Sequence, residues 1–373
     1  MSDEIFSYHG GESAHLTIDL SAVVENYKYY DKQSKGQSAA VVKANAYGLG
    51  MEEVSTSLLK AGCQHFFVAE PTEAMRLREI SDKAEIFVFN GFPPQYGEAL
   101  AKARLIPCLN NKTQIEEWIA LCQKTGVAHP ASLHIDTGFH RLGISMEEYK
   151  SLKAAGLLES LPLRLIMSHF ACADTPENKV NEKQFLRFEA IRKDFPDTPA
   201  SLANSAATLT DSKYHFELTR IGIGLYGAAP YADGSKAHKI AAKLHARIIR
   251  TRAVKKGESI GYGASYIAPK DMRIGVIALG YGDGILRCIG KAKPPYAKVF
   301  CKGVYLPLIA RVSMDLMTID MSDNNAGMIE ENDWVEVLGT HSTLEENAKL
   351  ANTINYELLT SLGNRYKRYY KKG

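Results

Sequence analysis

Short strand-like runs alternate with helix-like segments through the first two-thirds of the chain, and this alternation constrains the fold more than any other feature. Eight apolar, β-rich runs lie at residues 38–43, 65–69, 85–89, 105–109, 131–135, 163–168, 199–203 and 217–221. Amphipathic segments lie between them at 51–62, 71–80, 112–124, 146–155 and 180–194. Parallel strands need such crossovers, and eight repeats are typical of a (β/α)8 TIM-like barrel of about 250 residues. A doubly wound open sheet is the alternative.

The sequence changes character beyond residue 240. Runs such as RIGVIAL, AKVFCKGVYLPLI and DWVEVLG are strand-like, whereas only 343–352 and 355–362 are helix-like. We therefore predict a barrel over residues 14–240 and a mostly β C-terminal domain over residues 241–373, with residues 1–13 packing against the second domain. The early strand 15–19 is expected to pair with the first barrel repeat. The basic, tyrosine-rich C-terminus is expected to be a solvated end.

Composition excludes several classes of protein. The 373 residues carry 45 Lys and Arg against 42 Asp and Glu, so no bulk charge recruits nucleic acid or a membrane surface. No apolar run reaches about 18 residues, so we expect neither a membrane segment nor a secretory leader. The six cysteines are scattered without metal-ligand spacing, which favours free thiols in a reducing, cytoplasmic setting and predicts no metal site. The composition therefore favours a small-molecule enzyme.

Polar residues gather at the predicted carboxyl ends of the barrel strands, where the active sites of such barrels lie. Lys43 ends the first predicted strand, and Arg141 lies in the loop after the fifth. His169 ends the sixth strand, Asn204 and Ser205 follow the seventh, and Arg220 and Gly222 end the eighth. Lys43, in AVVKANAYGLG (40–50), could simply extend its charge from a strand end into water. The functional interpretation is a desolvated lysine that forms a Schiff base, followed by Tyr47 in a turn that reaches a phosphate.

A glycine-rich turn follows the last predicted barrel strand. TRIGIGLYG (219–227) contains the pattern G-x-G-x-x-G, but Pro230 interrupts the helix that a dinucleotide-binding fold needs at this point. The turn is either an ordinary strand end or a site whose N–H groups bind a single phosphate. In the C-terminal domain, SIGYGASY (259–266) presents Tyr262 between two glycines, either as a turn aromatic or as a functional residue.

These motifs, several and in order, resemble those of the pyridoxal-phosphate-dependent alanine racemase family from about residue 14 to the end of the chain. The resemblance implies a barrel with a C-terminal β domain, pyridoxal 5'-phosphate as cofactor, and Lys43 as the lysine that binds it. It also implies that Arg220 faces the pyridine nitrogen and that His169 belongs to the surrounding hydrogen-bond network. Arg141 matches the arginine that meets the cofactor phenolate and the substrate carboxylate. The implied phosphate ligands are Tyr47, Ser205, Gly222, Ile223 and Tyr226, with Asn204 nearby.

The resemblance further implies a homodimer whose active sites are shared between the subunits. Tyr262 matches the second catalytic base, which in this family crosses the dimer interface. Tyr281, Arg287, Met314 and Asp315 match residues at the active-site entrance and the substrate-carboxylate region, on the partner surface that also carries Tyr262. The implied reaction interconverts L- and D-alanine by a two-base proton transfer, with Lys43 serving the D-enantiomer and Tyr262 the L-enantiomer. Such a reaction supplies D-alanine for peptidoglycan or serves alanine catabolism.

Two departures from the family pattern and several alternative functions stay open. His134 stands where many members carry a carbamylated lysine that orients the arginine at the Arg141 position, and Asn364 stands where many have a tyrosine near the phosphate. The substrate could be serine or another small amino acid. A decarboxylase of the same architecture typically carries an acidic residue at the position of Arg220. A non-catalytic cofactor carrier, a further alternative, would lack the β domain with Tyr262. The hypothesis of a nicotinamide oxidoreductase depends on the glycine pattern alone.

Overall fold

We describe residues 12–372 of the chain from a computed structural model. Its contacts divide the chain into a barrel unit, Asp19–Ala241, and a β unit that joins the described residues before Asp19 to Ala242–Lys371. The prediction of a TIM-like barrel followed by a mostly β domain is confirmed. The predicted barrel start at residue 14 differs from this division, because strand β1 (Ala14–Asp19) pairs within the sheet of the β unit.

The barrel unit is built on eight short parallel strands whose residues are almost all buried. These are β2 (Gln37–Val41), β3 (His65–Val68), β4 (Glu85–Val88), β5 (Ile106–Leu109), β6 (Ala131–His134), β7 (Leu163–Met167), β8 (Ala200–Ser201) and β9 (Leu218–Ile221). They pair in chain order, and β9 returns to pair with β2. The ring closes where the amide of Glu217 donates to the Ala200 carbonyl (3.2 Å) and that of Arg220 to the Ala203 carbonyl (2.9 Å). All eight carboxyl ends therefore open on one face of the barrel.

Helices alternate with the barrel strands, and side-chain caps explain where several of them begin. The barrel helices are Leu20–Gln33, Met51–Lys60, Pro71–Ile80, Gly97–Lys102, Lys112–Thr125, Met146–Ala154, Lys179–Arg192 and Ser205–Thr210. Side-chain oxygens of Asp19, Asn111 and Asn178 accept the amide two or three residues further along and so cap three of these helices. Over residues 12–372, every helix is too short or too polar to cross a bilayer.

The β unit contains an antiparallel sheet that closes through its longest strand. The strands of this sheet after β1 are β10 (Ala242–Val254), β13 (Met272–Ile277), β14 (Lys298–Cys301), β15 (Val304–Ile309), β16 (Met317–Asp320), β17 (Trp334–Leu338) and β18 (Lys367–Lys371). Two short strands, β11 (Ser259–Ile260) and β12 (Tyr266–Ile267), pair only with each other. The first half of β10 pairs with β17 and its second half with β13, so that β16, β15 and β14 complete a ring. Two helices, Leu344–Ala351 and Asn355–Thr360, complete the unit.

The two ends of the described chain differ from the sequence expectation. Strand β1 pairs antiparallel with β10, from Ala14 opposite Ala246 to Ile18 opposite Ala242, and the expectation that it pairs with the first barrel repeat is wrong. The basic C-terminal segment forms a half-exposed strand, β18, beside β1 at the edge of the sheet, where an unpaired, solvated end was expected.

The prediction that residues 1–13 pack on the β domain falls largely on residues 1–11, which lie outside the described residues. The carboxylate of Glu12 accepts a hydrogen bond from the Tyr369 hydroxyl (2.7 Å) and pairs with Lys367. The carbonyl of Ser13 accepts the amide of Arg247 at 2.8 Å. These contacts join the described start of the chain to β10 and β18.

Candidate active site

Strand β2 leads into a left-handed turn that begins at Lys43. The four residues 44–47 all have φ between 52° and 55°. Left-handed backbone costs about 1–2 kcal/mol for each L-residue, so a run of four persists only where the surroundings hold it. Gly48 and Gly50, also with positive φ, end the turn. The sequence KANAYGLG thus places Lys43 at the carboxyl end of the barrel.

The surroundings of the Lys43 amine favour its neutral form. The nitrogen lies 5.6 Å from the centre of the Phe89 ring. Burial lowers the pKa of Lys43, the positive charge of Arg141 lowers it further, and the negative charge of Glu73 opposes both. An amine with a lowered pKa reacts more readily with a carbonyl at neutral pH, because more of it is unprotonated. The geometry therefore supports imine chemistry at this residue.

Arg220, on β9, is a buried guanidinium with which no carboxylate of the described residues pairs. It donates to the Ser201 hydroxyl (2.6 Å), to the carbonyls of Ser168 (2.7 Å) and Leu202 (3.3 Å), and to Nδ1 of His169 (3.1 Å). Its buried Nε–H has no partner among the described residues. Burial lowers the pKa of Arg220 to about 10, so the group stays charged at neutral pH. One donor of this fixed cation is left for a ligand.

Two histidines beside Arg220, the half-buried His169 and the buried His134, are neutral. Because a guanidinium only donates, Nδ1 of His169 accepts and the ring proton lies on Nε2. Burial, followed by the charges of Arg220 and Arg141, holds the pKa of His169 far below its ordinary value. Burial and then Arg220 lower the pKa of His134 to about 3, and its Nδ1 bonds to Oδ1 of Asn110 at 2.8 Å. The positive charges of this region therefore belong to the arginines and to Lys43 when it is protonated.

Arg141 follows β6 in a loop that one carboxylate organises. The Asp136 side chain accepts the amides of Gly138 (2.8 Å), Phe139 (2.9 Å) and His140 (3.2 Å). The Arg141 guanidinium lies over the Phe139 ring, 4.1 Å from its centre. Cation–π contact with this ring supports the arginine. His134, which the resemblance noted above sets at the position of a carbamylated lysine, bonds to Asn110.

A small cradle lies at the end of β9. The Ser205 hydroxyl oxygen accepts the amides of Gly222 (3.0 Å) and Gly224 (3.3 Å). A Cβ at Gly222 would lie 2.5 Å from the Tyr47 hydroxyl oxygen, so a side chain does not fit there. Three of the predicted phosphate ligands, Tyr47, Ser205 and Gly222, are therefore brought together.

The remaining predicted phosphate ligands flank this cradle. Ile223 and Tyr226 lie in the 3-10 turn that follows Gly222. The Tyr226 hydroxyl donates to the Val41 carbonyl at 3.0 Å, so its proton is already used within the barrel. Asn204 caps the helix Ser205–Thr210 by accepting the Ala207 amide at 3.0 Å. Asn204 therefore positions the cradle through this helix.

In the β unit, Tyr262 lies on an exposed tight turn. The glycines on either side, Gly261 and Gly263, have φ of 74° and 70°, a conformation that favours glycine. A Cβ at Gly263 would lie 3.0 Å from the Arg311 guanidinium. The Tyr262 side chain is 69% exposed, which is unusual for an aromatic residue whose role is packing.

The other predicted residues of the β unit lie on two adjoining loops. The amide of Tyr281 donates to the Ser313 carbonyl (3.0 Å), and that of Gly282 to the Met314 carbonyl (2.8 Å). Tyr281 and Met314 are both exposed. Arg287 is also exposed, in the 3-10 turn Arg287–Ile289. The structure thus brings Tyr281 and Met314 together.

One arginine ties these two loops to each other. Arg365 donates to both carboxylate oxygens of the buried Asp283 (2.8 and 2.9 Å) and to the carboxylate of Asp315 (2.7 Å). Next to it, the exposed Asn364 accepts a hydrogen bond from Arg368 at 3.3 Å. Asp315 is therefore a partner of Arg365 beside Met314.

Sequence profiles of two domain families match the chain. The alanine racemase N-terminal domain matches residues 18–230, and the alanine racemase C-terminal domain matches residues 241–370. Together they span both units. The chain belongs to the alanine racemase family.

Relatives of known name agree with this membership over nearly the whole chain. A catabolic alanine racemase of Agrobacterium fabrum is 42% identical over 364 residues, which cover 97% of this chain and 93% of the relative. An alanine racemase of Brucella abortus is 39% identical, with 95% and 93% covered. Among solved structures, alanine racemase from Bartonella henselae with covalently bound pyridoxal phosphate has a TM-score of 0.91 at 35% identity, with 96% and 99% covered. Biosynthetic alanine racemase from Pseudomonas aeruginosa has a TM-score of 0.88 at 35% identity, with 97% and 100% covered.

The sequence analysis missed three residues that hydrogen-bond to predicted site residues or to the backbone beside them. Ser201 bonds to Arg220, and its signal is a hydroxyl within an otherwise apolar barrel strand. Glu73 accepts the amide next to Lys43, and its only signal is its place in the first turn of a helix. Arg365 gives no sequence signal, because its partners lie far away along the chain.

Proposed function

We propose that this chain is an alanine racemase that interconverts L- and D-alanine with pyridoxal 5'-phosphate as its cofactor. The observation that carries the proposal is the buried, unpartnered Nε–H of Arg220. A buried donor without an acceptor costs free energy, so a fold retains one chiefly where a ligand completes it. An unprotonated pyridine nitrogen is an acceptor of this kind. An acidic residue, which the decarboxylase alternative needs here, is absent from this position.

The residues of the barrel unit fit this cofactor. Lys43 and Arg220 lie against the stacked rings of Phe89 and Phe67, whose centres are 4.9 Å apart. The amine of Lys43 would bind the aldehyde carbon, Arg220 would donate to the ring nitrogen, and Arg141 would face the phenolate. The phosphate would lie in the cradle with Ser205, Gly222, Ile223, Tyr226 and Tyr47, with Asn204 supporting it and His169 bonded to Arg220.

The charges of these residues suit racemisation. When bound, pyridoxal phosphate withdraws electrons from the α-carbon of an amino acid and makes its proton acidic. Lys43 takes that proton from D-alanine or returns it, because an amine with a lowered pKa gives up a proton more readily. Arg220 can only donate to the ring nitrogen and so keeps it unprotonated. This arrangement limits electron withdrawal to what proton transfer needs and disfavours transamination.

We infer that Tyr262 is the second base, acting on L-alanine, and that it reaches the site from a second subunit. Its exposure, with that of the apolar side chains of Tyr281, Met314 and Leu316, supports an interface at this surface. In a two-fold dimer the same patch serves both subunits, so each site would receive Tyr262 from the partner. Tyr281 and Met314 would then border the substrate together with Arg141, whose guanidinium binds the carboxylate.

The function is tested by following both enantiomers. The purified chain, supplied with pyridoxal phosphate, should convert pure L-alanine and pure D-alanine to the same equal mixture, as chiral chromatography measures, because enantiomers have equal free energy. In deuterium oxide the product should carry deuterium at the α-carbon. Parallel incubations with serine and an assay for carbon dioxide separate the alternatives. Carbon dioxide release without racemisation, or racemisation of serine but not alanine, would contradict the proposal.

The cofactor lysine is tested by reduction. Borohydride should fix the cofactor on the chain, and peptide mapping should place the label on Lys43. Lys43→Ala should remove both the visible absorbance and nearly all racemisation. A label on another lysine would refute the assignment.

We also infer a cytoplasmic setting. All six cysteines are free, and Cys63, Cys108 and Cys301 are buried, which fits a reducing compartment. Cell fractionation tests this location. Deletion of the gene tests the physiological direction, because a requirement for D-alanine indicates peptidoglycan supply and a failure to grow on alanine indicates catabolism.

A further inference from the structure

A single carboxylate outside the described cofactor ligands holds the turn that begins at Lys43. Glu73, in the first turn of the helix Pro71–Ile80, accepts the Ala44 amide through Oε1 at 2.6 Å. Its Oε2 accepts the amides of Ala69 at 2.9 Å and Glu70 at 3.2 Å. Glu73 therefore fixes the peptide unit directly after Lys43 against the end of the next barrel strand.

The left-handed turn needs this anchor at its first residue. Within the turn, the amides of Ala46 and Gly48 bond to the carbonyls of Val42 and Ala44, both at 2.8 Å. The Ala44 amide donates to the Glu73 carboxylate and not to a carbonyl of the turn. Hydrogen bonds to a carboxylate are shorter and stronger than those between neutral groups. The acceptor that holds this unfavourable backbone in place is thus a charged one.

Glu73 also carries the negative charge that favours the protonated form of the Lys43 amine. Arg141 is the nearby positive charge, and the neutral His169 lies close enough to Lys43 to be affected by its charge. Glu70 is a second carboxylate at the same helix start, but it is exposed and accepts a hydrogen bond from the side-chain Nδ2 of Asn90. Arg141 and Glu73 therefore have opposite effects on the charge of Lys43: Arg141 disfavours the protonated amine and Glu73 favours it.

We propose that Glu73 is a positioning residue for Lys43: its carboxylate anchors the left-handed turn through the Ala44 amide and supplies the negative charge that balances Arg141. The proposal rests on the proposed function only in giving Lys43 the role of cofactor lysine and base. A lysine in that role must lose and regain a proton during each turnover, and both burial and Arg141 oppose its protonated form. Glu73 restores that form while holding the amine in place.

The charge role is tested by titrating the Lys43 amine in the full-length chain freed of cofactor. Competitive labelling with acetic anhydride across a range of pH, followed by peptide mass spectrometry, reports the titration of each lysine. Glu73→Gln keeps one oxygen that can accept the Ala44 amide, gives up the hydrogen bonds to the amides of Ala69 and Glu70, and removes the charge. The midpoint for Lys43 should move to lower pH, and its labelling rate below that midpoint should rise roughly threefold to tenfold, the effect of one charge near a protein surface. Glu70→Gln, the matched control, should change the rate less than twofold.

The anchoring role is tested by hydrogen exchange at the Ala44 amide. Glu73→Ala should raise the exchange rate of this amide at least tenfold over that in the wild-type chain, and Glu73→Gln should raise it much less. Unchanged Lys43 titration in Glu73→Gln would overturn the charge role, and unchanged Ala44 exchange in Glu73→Ala would overturn the anchor. If Glu73→Ala does not fold, a Glu73→Gln chain with wild-type titration still refutes the proposal. Neither assay involves racemisation, so a failure of the proposed function would be seen separately.

Discussion

Replacing His134 with asparagine should make the barrel unit less sensitive to acid. His134 is buried, and its Nδ1 donates to Oδ1 of Asn110, whose own amide donates to the carbonyls of Phe89 and Cys108. The Nδ2 of asparagine occupies nearly the place of Nδ1 in histidine, so His134→Asn can keep this donor. What the variant loses is the group that titrates.

The size of the effect follows from the pKa. Burial and the charge of Arg220 lower the pKa of His134 from 6.5 to about 3. Above pH 6.5 the ring is neutral in both the folded and unfolded chain and contributes no pH dependence. Below pH 6.5 the unfolded chain binds a proton that the fold excludes, so stability falls by about 1.4 kcal/mol per pH unit until the folded pKa is reached. Between pH 7 and pH 5 this group alone costs about 2 kcal/mol.

The assay uses a property of the chain's two tryptophans, which lie in different units: Trp118 in the barrel unit and Trp334 in the β unit. In a Trp334→Phe background, Trp118 fluorescence follows urea unfolding of the barrel unit at several pH values. The difference in unfolding free energy between His134→Asn and its parent should shift by about 2 kcal/mol in favour of the variant from pH 7 to pH 5. His140→Asn, which removes an exposed ring, is the control. Parallel curves for His134→Asn and its parent would refute the reasoning.

Three further changes test the described site. Gly222→Ala should weaken pyridoxal phosphate binding at least tenfold, because the added Cβ would lie 2.5 Å from the Tyr47 hydroxyl, and titration of the visible absorbance measures this; unchanged affinity would contradict the cradle. Arg220→Glu should lower racemisation and raise the yield of pyruvate from alanine, measured with a coupled lactate dehydrogenase assay; an unchanged ratio of pyruvate to racemised alanine would contradict the charge argument. Arg365→Met should lower the thermal midpoint of unfolding, because the buried carboxylate of Asp283 loses its partner. It should also raise KM more than it lowers kcat, because the loop with Tyr281 is freed. Equal changes in KM and kcat would contradict this role of Arg365.

The sequence predicted the barrel closely because its strands are buried on both faces and therefore read as continuous apolar runs. The polar residues that end those runs, such as Lys43 and Arg220, were visible for the same reason: each interrupts an apolar pattern. The strand bounds Leu218–Ile221 and Glu85–Val88 each lie within one residue of the prediction.

Pairing across long distances in the chain could not be predicted in the same way. Strand β1 has the local pattern of any strand, and only its hydrogen bonds to β10 assign it to the β unit. Strand β18 is rich in Lys and Tyr, a composition typical of a solvated end, but its place beside β1 makes it the edge of a sheet.

The supporting residues of the site were hidden for a further reason. Glu73 acts on backbone amides, and Arg365 acts on carboxylates that are distant in sequence, so neither forms a local motif. The ring of Phe139 supports Arg141 by a contact that the sequence pattern around DTGFHR does not distinguish from an ordinary turn.

The central claim, that Lys43 and Tyr262 act as opposite bases in a site shared by two subunits, is tested most directly by mixing two inactive variants. Homodimers of Lys43→Ala and of Tyr262→Phe should each be nearly inactive, and Tyr262→Phe removes only a hydroxyl. Unfolding, mixing and refolding them gives some mixed dimers in which one site has both intact bases. Racemisation of alanine should therefore reappear on mixing. If native mass spectrometry shows mixed dimers and no activity returns, the shared two-base site is contradicted.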